Sequence, residues 1–457
     1  MSAATALTGA DRAVAEQPSP PTHVSGVPAR IALYSHDSTG LGHVRRNLLL
    51  AQQLTADGHD VLLVSGSPEA AAMPRPPSTD IVTLPALGKD ERGAYRARNL
   101  RMGVVELTAI RRGIFSSTLG GFAPDLLVVD RHARGFRGEL EPALDQLSST
   151  RATRVVLGLR DVLDAPAAVR REWHERRIPE ALQRWYDEVW VYGDARLHHP
   201  LESAGLHAPV PVSQVGYLNG ARPPATLTDP VPTDRPFVLC MLGGGADGAR
   251  AASAVLEAPL PAGLGLVLVT GPQMPPADRA RLSAHARSRP ELTVLTFVHD
   301  AAGLLARSRA AVVMGGYNTA CEVLASDTPA LILPRAEPRL EQHLRATTLA
   351  DAGLLDMLPL TSADGPRIGR WLERAVAGGR RPRRGADLDG LERVGHHTRR
   401  LLAATPAARP VGPTHAAHPG APRSAADPAT PPAAHPTPAQ PTPAQPTTAR
   451  GVHHVAV

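Results

Sequence analysis

Two glycines, a threonine and a glutamate are spaced for chemistry in Gly315-Gly316-Tyr317-Asn318-Thr319-Ala320-Cys321-Glu322, directly after the apolar run Ala310-Ala311-Val312-Val313-Met314. Glycines where a strand turns into a helix let backbone N–H groups approach a phosphate closely. The positive end of the following helix adds a fixed attraction for the anion. Glu322, about one turn in, stands where a ribose hydroxyl could donate to its carboxylate. This is the layout of a nucleotide-sugar site. A plainer reading stands beside it: Thr319-x-x-Glu322 is also a capping box that starts a helix with no ligand, and a glycine pair can be only a tight turn.

A second constellation is His36-Asp37-Ser38-Thr39-Gly40-Leu41-Gly42-His43-Val44-Arg45-Arg46-Asn47. Gly40-x-Gly42 gives half of a dinucleotide fingerprint, but Arg45 replaces the third glycine. No acidic residue closes the next strand at Val64-Ser65-Gly66, which argues against NAD. His43 falls in the first turn of a helix, a placement that suits a neutral base. His36 and Asp37 are alternative bases, and a helix-start histidine that only hydrogen-bonds locally is the plain reading. Gly40, Gly42 and Arg45 belong to this acceptor-side loop.

Three further stretches bear on a ligand. Gly243-Gly244-Gly245 follows another apolar run and is placed for phosphate contact. In Phe297-Val298-His299-Asp300 the backbone at Val298 could read a base edge, and Asp300 reads equally as a helix N-cap. Glu341 and Gln342 open a helix where their side chains could meet sugar hydroxyls. Asp387-Leu388-Asp389 imitates an Asp-x-Asp metal motif, but its place at the start of a terminal helix reads as an N-cap, and no metal site is expected.

These loops need strands and helices to hold them. Apolar runs at 31–34, 60–64, 81–84, 125–129, 154–158 and 188–192 predict strands, with a helix over 44–54 and a charged surface helix over 170–185. Alternation of this kind implies parallel sheets covered on both faces. A second series has strands at 237–241, 264–270, 292–297, 310–314 and 330–333, with helices over 249–256, 277–288, 339–352 and 388–402. The stretch 209–235 is Pro-rich and reads as a connection. The expected organisation is a disordered segment over 1–29, an N-terminal Rossmann-like acceptor domain over 30–215 and a linker over 216–235. A C-terminal Rossmann-like donor domain over 236–380, a terminal helix over 381–403 and a disordered Pro/Ala/Thr/His tail over 404–457 complete it. The tail histidines lack metal-ligand spacing.

The net charge is +6, and Lys89 is the only lysine. Arginines are scattered and aromatic residues make up 3 %, so the interleaved pattern of a nucleic-acid binder is missing. A basic surface suits anionic substrates or an anionic membrane face. Cys240 and Cys321 sit in apolar contexts and read as buried thiols. No stretch approaches the roughly 20 apolar residues of a membrane span, and no charged-then-apolar leader is visible. The expectation is a cytoplasmic protein, with peripheral contact at the inner membrane face left open, acting as a monomer or weak dimer.

Gly315-Gly316-x-x-Thr319-x-x-Glu322, Pro329, Pro334-Arg335 and Glu341-Gln342 together resemble the C-terminal domain of glycosyltransferase family 28. That family includes the peptidoglycan enzyme that adds N-acetylglucosamine to lipid-linked muramyl pentapeptide. The likeness covers residues 237–360. Gly40-Leu41-Gly42-His43 is similar to the family's glycine-histidine loop, but this chain continues with Arg45-Arg46-Asn47 where the lipid II-forming enzyme has an aromatic and a proline. The stretch from Gly158-Leu159-Arg160-Asp161 to Tyr192-Gly193-Asp194 is similar to a bacterial group of glycosyltransferases without assigned acceptors.

The resemblance implies a GT-B fold: two Rossmann-like domains facing across a cleft, the donor held mainly by the second. It implies that Glu322 binds ribose and that Gly315, Gly316 and Thr319 hold the diphosphate, with Gly243, Gly244 and Gly245 nearby. Val298 would contact the base, and Glu341 and Gln342 the donor sugar. His43 would act as base or phosphate ligand. The implied reaction is inverting, metal-independent transfer of a hexose or N-acetylhexosamine from a nucleotide-diphosphate sugar, UDP-linked, to an unidentified hydroxyl acceptor. A non-hydrolysing nucleotide-sugar epimerase and a non-catalytic nucleotide-sugar-binding protein are the alternatives.

Overall fold

The computed structural model describes residues 28–37, 41–90, 94–150, 152–219, 234–383 and 385–404. Nearly all of the two expected tails, Gly40 and most of the Pro-rich linker lie outside these residues.

The first half supplies β1 (Arg30–Ser35), β2 (Asp60–Ser65), β3 (Thr79–Thr83), a hairpin of β4 (Leu87–Lys89) and β5 (Tyr95–Ala97), then β6 (Leu126–Asp130), β7 (Arg154–Arg160), β8 (Glu188–Tyr192) and β9 (Val212–Gln214). Outside the hairpin they form one parallel sheet in the order β3-β2-β1-β6-β7-β8-β9. The second half supplies β10 (Phe237–Met241), β11 (Gly265–Val269), β12 (Leu292–Leu295), β13 (Ala310–Val313), β14 (Ala330–Ile332) and β15 (Asp356–Met357). They form a second parallel sheet, β12-β11-β10-β13-β14-β15. Each sheet runs outward in both directions from its first strand, the doubly wound order of dinucleotide-binding folds. Strands β6, β8, β10 and β13 are buried along their whole length, which is why they read as apolar runs, broken only by Asp130 at the end of β6 and Glu188 at the start of β8.

The helices are α1 (Gly42–Ala56), α2 (Val104–Phe122), α3 (Glu141–Thr150), α4 (Pro166–Glu175), α5 (Ile178–Trp185), α6 (Ala249–Leu256), α7 (Pro276–Arg287), α8 (Ala301–Arg307), α9 (Tyr317–Leu324), α10 (Glu341–Asp351), α11 (Gly365–Gly378) and α12 (Gly390–Ala403). Two expectations need correction. The single helix over 170–185 is two, α4 and α5, because Arg177 takes a left-handed φ of 49° between them and Pro179 opens the second. Their inner face, with Val169, Trp173, Ile178, Leu182 and Trp185, is buried rather than solvated. The Pro-rich stretch is also not wholly a connection, since β9 pairs in parallel with β8.

The two halves are stitched together. One apolar core runs from Leu33 and Leu50 through Val215, Tyr217 and Leu218 to Tyr317 and Leu349. Helix α12 packs its Leu391, Val394 and Leu401 into that core, and its Arg399 pairs with Asp57 just past α1 at 3.2 Å. Both cysteines are buried free thiols. Among the described residues, no helix is long and apolar enough to cross a membrane.

Candidate functional site

In doubly wound sheets ligands bind outside the carboxyl ends of the strands, where the strand order reverses. Here that point lies between β1 and β6 in one sheet and between β10 and β13 in the other. The segments leaving these four strands carry His36-Asp37, Asp130-Arg131-His132, Leu242-Gly243-Gly244-Gly245 and Met314-Gly315-Gly316. All four contribute to one cavity of about 490 Å³. His36, Gly42, His43, Arg45, Gly243, Gly244, Gly245, Val298, Gly316, Thr319, Glu322, Glu341 and Gln342 line it. Asp37 and Gly315 stand behind the lining, and Gly40 is outside the described residues.

Where β10 and β13 end, the second-half rim is built from backbone. Gly245 has a φ of +90°, and a Cβ there would fall 2.1 Å from the Thr270 carbonyl oxygen, so only glycine fits. Gly316 is the N-cap of α9, with an ordinary extended backbone (φ −62°, ψ 149°). A Cβ on Gly316 would meet nothing within 4 Å. Thr319 is therefore not an N-cap; it lies within the first turn of α9 and is buried. The capping-box reading fails, and Glu322 is left to face the cleft with Oε2 buried and without a hydrogen-bond partner. Asp300, by contrast, does cap α8, accepting from Gly303 N at 2.7 Å.

The first-half rim is built from charged side chains. Asp130 Oδ2 lies 2.7 Å from His43 Nδ1 and 2.5 Å from Arg46. Arg46 also stands 3.0 Å from His43 Nδ1; with the shorter Asp130 contact taken as the hydrogen bond, and a carboxylate only accepting, Nδ1 carries the proton and Nε2 is the basic atom of the neutral ring. Burial works against the Asp130 charge, but Arg46, and then His43, outweigh it and hold the carboxyl well below the usual range. Asp37 instead accepts from Ser35 Oγ at 2.5 Å and Ser65 Oγ at 2.7 Å, and burial pushes its pKa up. His36 packs edge-on against His132, ring centres 4.3 Å apart. Both are held well below the normal imidazole range, chiefly by burial, then by His43 for His36 and by His36 for His132. Arg131 has a left-handed φ of 66°, and burial together with Arg160 and Arg339 lowers its pKa to about 10. Non-glycine residues in that region gather at functional sites. Glu139 is wholly buried, bound by Arg111 at 2.6 Å, and is not among the residues that line the cleft.

Several contacts cross from one half to the other. Arg45 meets Glu322 at 2.5 Å, and Asn318 Nδ2 donates to the Gly42 carbonyl at 3.0 Å. Glu341 is clasped by Arg160 at 2.7 Å and Arg335 at 3.2 Å. Burial would raise its pKa, but Arg160, Arg345, Arg131 and Arg335 bring it down to about 2. Arg345 pairs with Asp161 at 2.6 Å, both fully buried, and donates to the Gly315 carbonyl at 2.9 Å. Gln342 Oε1 accepts from Arg335 N at 3.4 Å. Tyr317, between the guanidinium groups of Arg46 and Arg345, accepts from Leu218 N at 3.2 Å. Sequence reading missed His132, Tyr317 and Asn318; the one signal for His132 was the polar run that ends β6. Asp389 occupies the N-cap position of α12 without a capping side-chain hydrogen bond, and Arg393 pairs closely with Asp387 and at 3.8 Å with Asp389. Among the described residues there is no cluster of His, Cys, Asp and Glu suited to a metal ion.

No family model matches the chain. Segments of it are 33 % identical to UDP-N-acetylglucosamine–N-acetylmuramyl-(pentapeptide) pyrophosphoryl-undecaprenol N-acetylglucosamine transferases. One, from a Synechococcus species, matches over 109 residues, 23 % of this chain and 28 % of the relative. Another, from Synechococcus elongatus, matches over 137 residues, 28 % of this chain and 35 % of the relative. The matched part thus spans about a third of these relatives' length. Among solved structures, the glycotransferase of kitacinnamycin superposes with a TM-score of 0.51 at 17 % identity, covering 82 % of this chain and 95 % of that one. A Listeria monocytogenes protein assigned as UDP-N-acetylglucosamine 2-epimerase also gives 0.51, at 11 % identity, covering 84 % and 99 %. The fold is GT-B: two parallel Rossmann-like sheets, in the arrangement found in glycosyltransferases.

Proposed function

We propose that this protein is a glycosyltransferase that moves a hexose or N-acetylhexosamine from a nucleoside-diphosphate sugar, UDP-linked, to a hydroxyl acceptor, with inversion and without a metal ion. The observation that carries this reading is the facing of two unlike switch points across one cavity. One offers glycines and the start of α9; the other offers a histidine oriented by a buried aspartate.

Ribose hydroxyls donate to Glu322, whose Oε2 lacks a partner. The diphosphate lies against Gly316 and the first turn of α9, with Gly243, Gly244 and Gly245 beside it; the dipole and open N–H groups there favour an anion. The base packs near the Val298 backbone, and the sugar extends toward Glu341 and Gln342. On the other rim His43 Nε2 takes the acceptor hydroxyl proton as the oxygen attacks the anomeric carbon. Asp130 fixes the ring and stabilises the imidazolium that forms. The bond from the anomeric carbon to the diphosphate oxygen breaks, its electron pair leaves with the nucleoside diphosphate, and the helix end stabilises the growing charge. In principle this needs no divalent ion. A cytoplasmic protein, with peripheral contact at the inner membrane face, accompanies this reading.

The test is calorimetric titration with UDP, UDP-N-acetylglucosamine, GDP and dTDP, repeated on Glu322→Ala. Selective binding of one nucleotide, weakened at least tenfold in the variant, supports the donor site. A folded protein that binds none of them contradicts it. Conversion of the nucleotide sugar to an epimer with no acceptor present would replace transfer by epimerisation.

A further inference from the structure

Arg45 reaches across the cleft from the first turn of α1, and its guanidinium rests on Glu322 Oε1 at 2.5 Å. One turn earlier on each helix, Asn318 Nδ2 meets the Gly42 carbonyl. Neither contact uses its partner fully, because Glu322 Oε2 and Asn318 Oδ1 are buried with no hydrogen-bond partner. The other close arginine–carboxylate pairs between the halves are more buried: Arg345 with Asp161 is entirely buried and Arg160 with Glu341 nearly so, whereas the Arg45 side chain keeps 37 % of its surface in solvent. A partly exposed arginine gives up its partner at small cost; a buried one leaves an uncompensated charge. Among the described residues of this rim, Arg45 is therefore a cation free to change position.

A ribose diol that engages both oxygens of Glu322 takes Oε1 from Arg45. The incoming nucleotide then meets an arginine whose carboxylate is being taken. The same cavity holds Gly316 and the triple glycine, where a diphosphate brings new negative charge. A planar guanidinium binds phosphate oxygens in a fork as readily as a carboxylate. We propose that Arg45 is a donor-exchanged residue: it occupies Glu322 while the cleft is empty and passes to the diphosphate when a nucleotide sugar binds, neutralising charge on the leaving group. The proposal rests on the donor reading above. As the bond to the anomeric carbon breaks and its electron pair moves onto the diphosphate, a cation placed there lowers the barrier.

The two halves of the exchange separate with two probes. Uridine carries base and ribose without phosphate, and UDP adds the diphosphate. Both are titrated by NMR into the wild type, Arg45→Gln and Arg45→Lys. Arg45→Gln is expected to bind uridine at least as tightly as the wild type, because the competitor for Glu322 is gone. It should bind UDP about tenfold more weakly, the loss of one charge-assisted hydrogen bond. Arg45→Lys should recover most of the UDP affinity. A shift of both probes in the same direction overturns the proposal, as does UDP binding unchanged in Arg45→Gln. A wild type whose UDP binding ignores Glu322→Ala overturns the donor reading instead, and the two failures are read from different variants.

Discussion

The two rims of the cleft are made of opposite materials. At its glycine loops the second-half rim is backbone N–H and a helix end, with Glu322, Glu341 and Gln342 beside them; the first-half rim is His43, Arg46, His36, Arg131 and His132, backed by Asp130, several of them buried. Backbone groups are fixed dipoles whose strength does not depend on pH, which suits a ligand that stays charged. Buried side chains have protonation states that neighbours set, which suits moving a proton. One topology, wound twice in one chain, thus gives a holding surface and a reacting surface. The difference arises from which residues follow the first and fourth strands of each sheet.

The comparison breaks if removing the reacting group does not act on turnover alone. His43→Ala should lower kcat at least about 100-fold, the range for a general base, with nucleotide affinity measured by calorimetry unchanged. A loss of affinity matching the loss of kcat would move His43 to the holding surface. The converse change is Gly316→Ala. Its backbone accepts alanine and the new methyl meets no protein atom, so the thermal midpoint should stay within about 1 °C. The methyl would stand where a phosphate approaches, and nucleotide affinity should drop about tenfold. Equal affinity would remove Gly316 from the diphosphate site.

The charged rim also predicts a pH response that the glycine rim cannot give. His36 and His132 are held well below their ordinary pKa of about 6.5 by burial, then by His43 for His36 and by His36 for His132. Folded, they stay neutral; unfolded, each takes a proton below about pH 6.5, so the unfolded state gains as pH falls. Their contribution is fully present above pH 6.5 and is lost below it. Urea unfolding should show roughly 2 kcal/mol less stability at pH 5.5 than at pH 7.5, and His132→Gln should flatten the slope. The smallest effect belongs to a region on neither rim. Asp389 makes no capping hydrogen bond, so Asp389→Ala should change stability by less than about 0.5 kcal/mol and leave turnover as it is. A large loss of turnover there would revive the Asp-x-Asp reading.

Much of the sheet architecture was legible because parallel strands buried on both faces tend to be continuous apolar runs, as at β10 and β13. The glycine loops were legible because a strand, two or three glycines and a helix leave few conformations open. The split of α4 from α5 was not, since a left-handed Arg177 carries no sequence mark. The role of Thr319 was ambiguous for a related reason: the same four residues satisfy a capping box or a ligand loop, and only the start of α9 at Tyr317 separates them. Contacts across the cleft were the least legible. Arg45 and Glu322 lie 277 positions apart and Asp161 and Arg345 lie 184 apart, so no local pattern announces either pair. His132 meets His36 only because β6 lies beside β1.

The most direct test of the two-rim account is a crystal structure of the protein soaked with UDP. The account predicts the diphosphate against Gly316 and the first turn of α9, the ribose on Glu322, and the His43–Asp130 pair untouched on the opposite rim. A nucleotide seated instead on His43, Asp130 and Arg131, with the glycine rim bare, would contradict it.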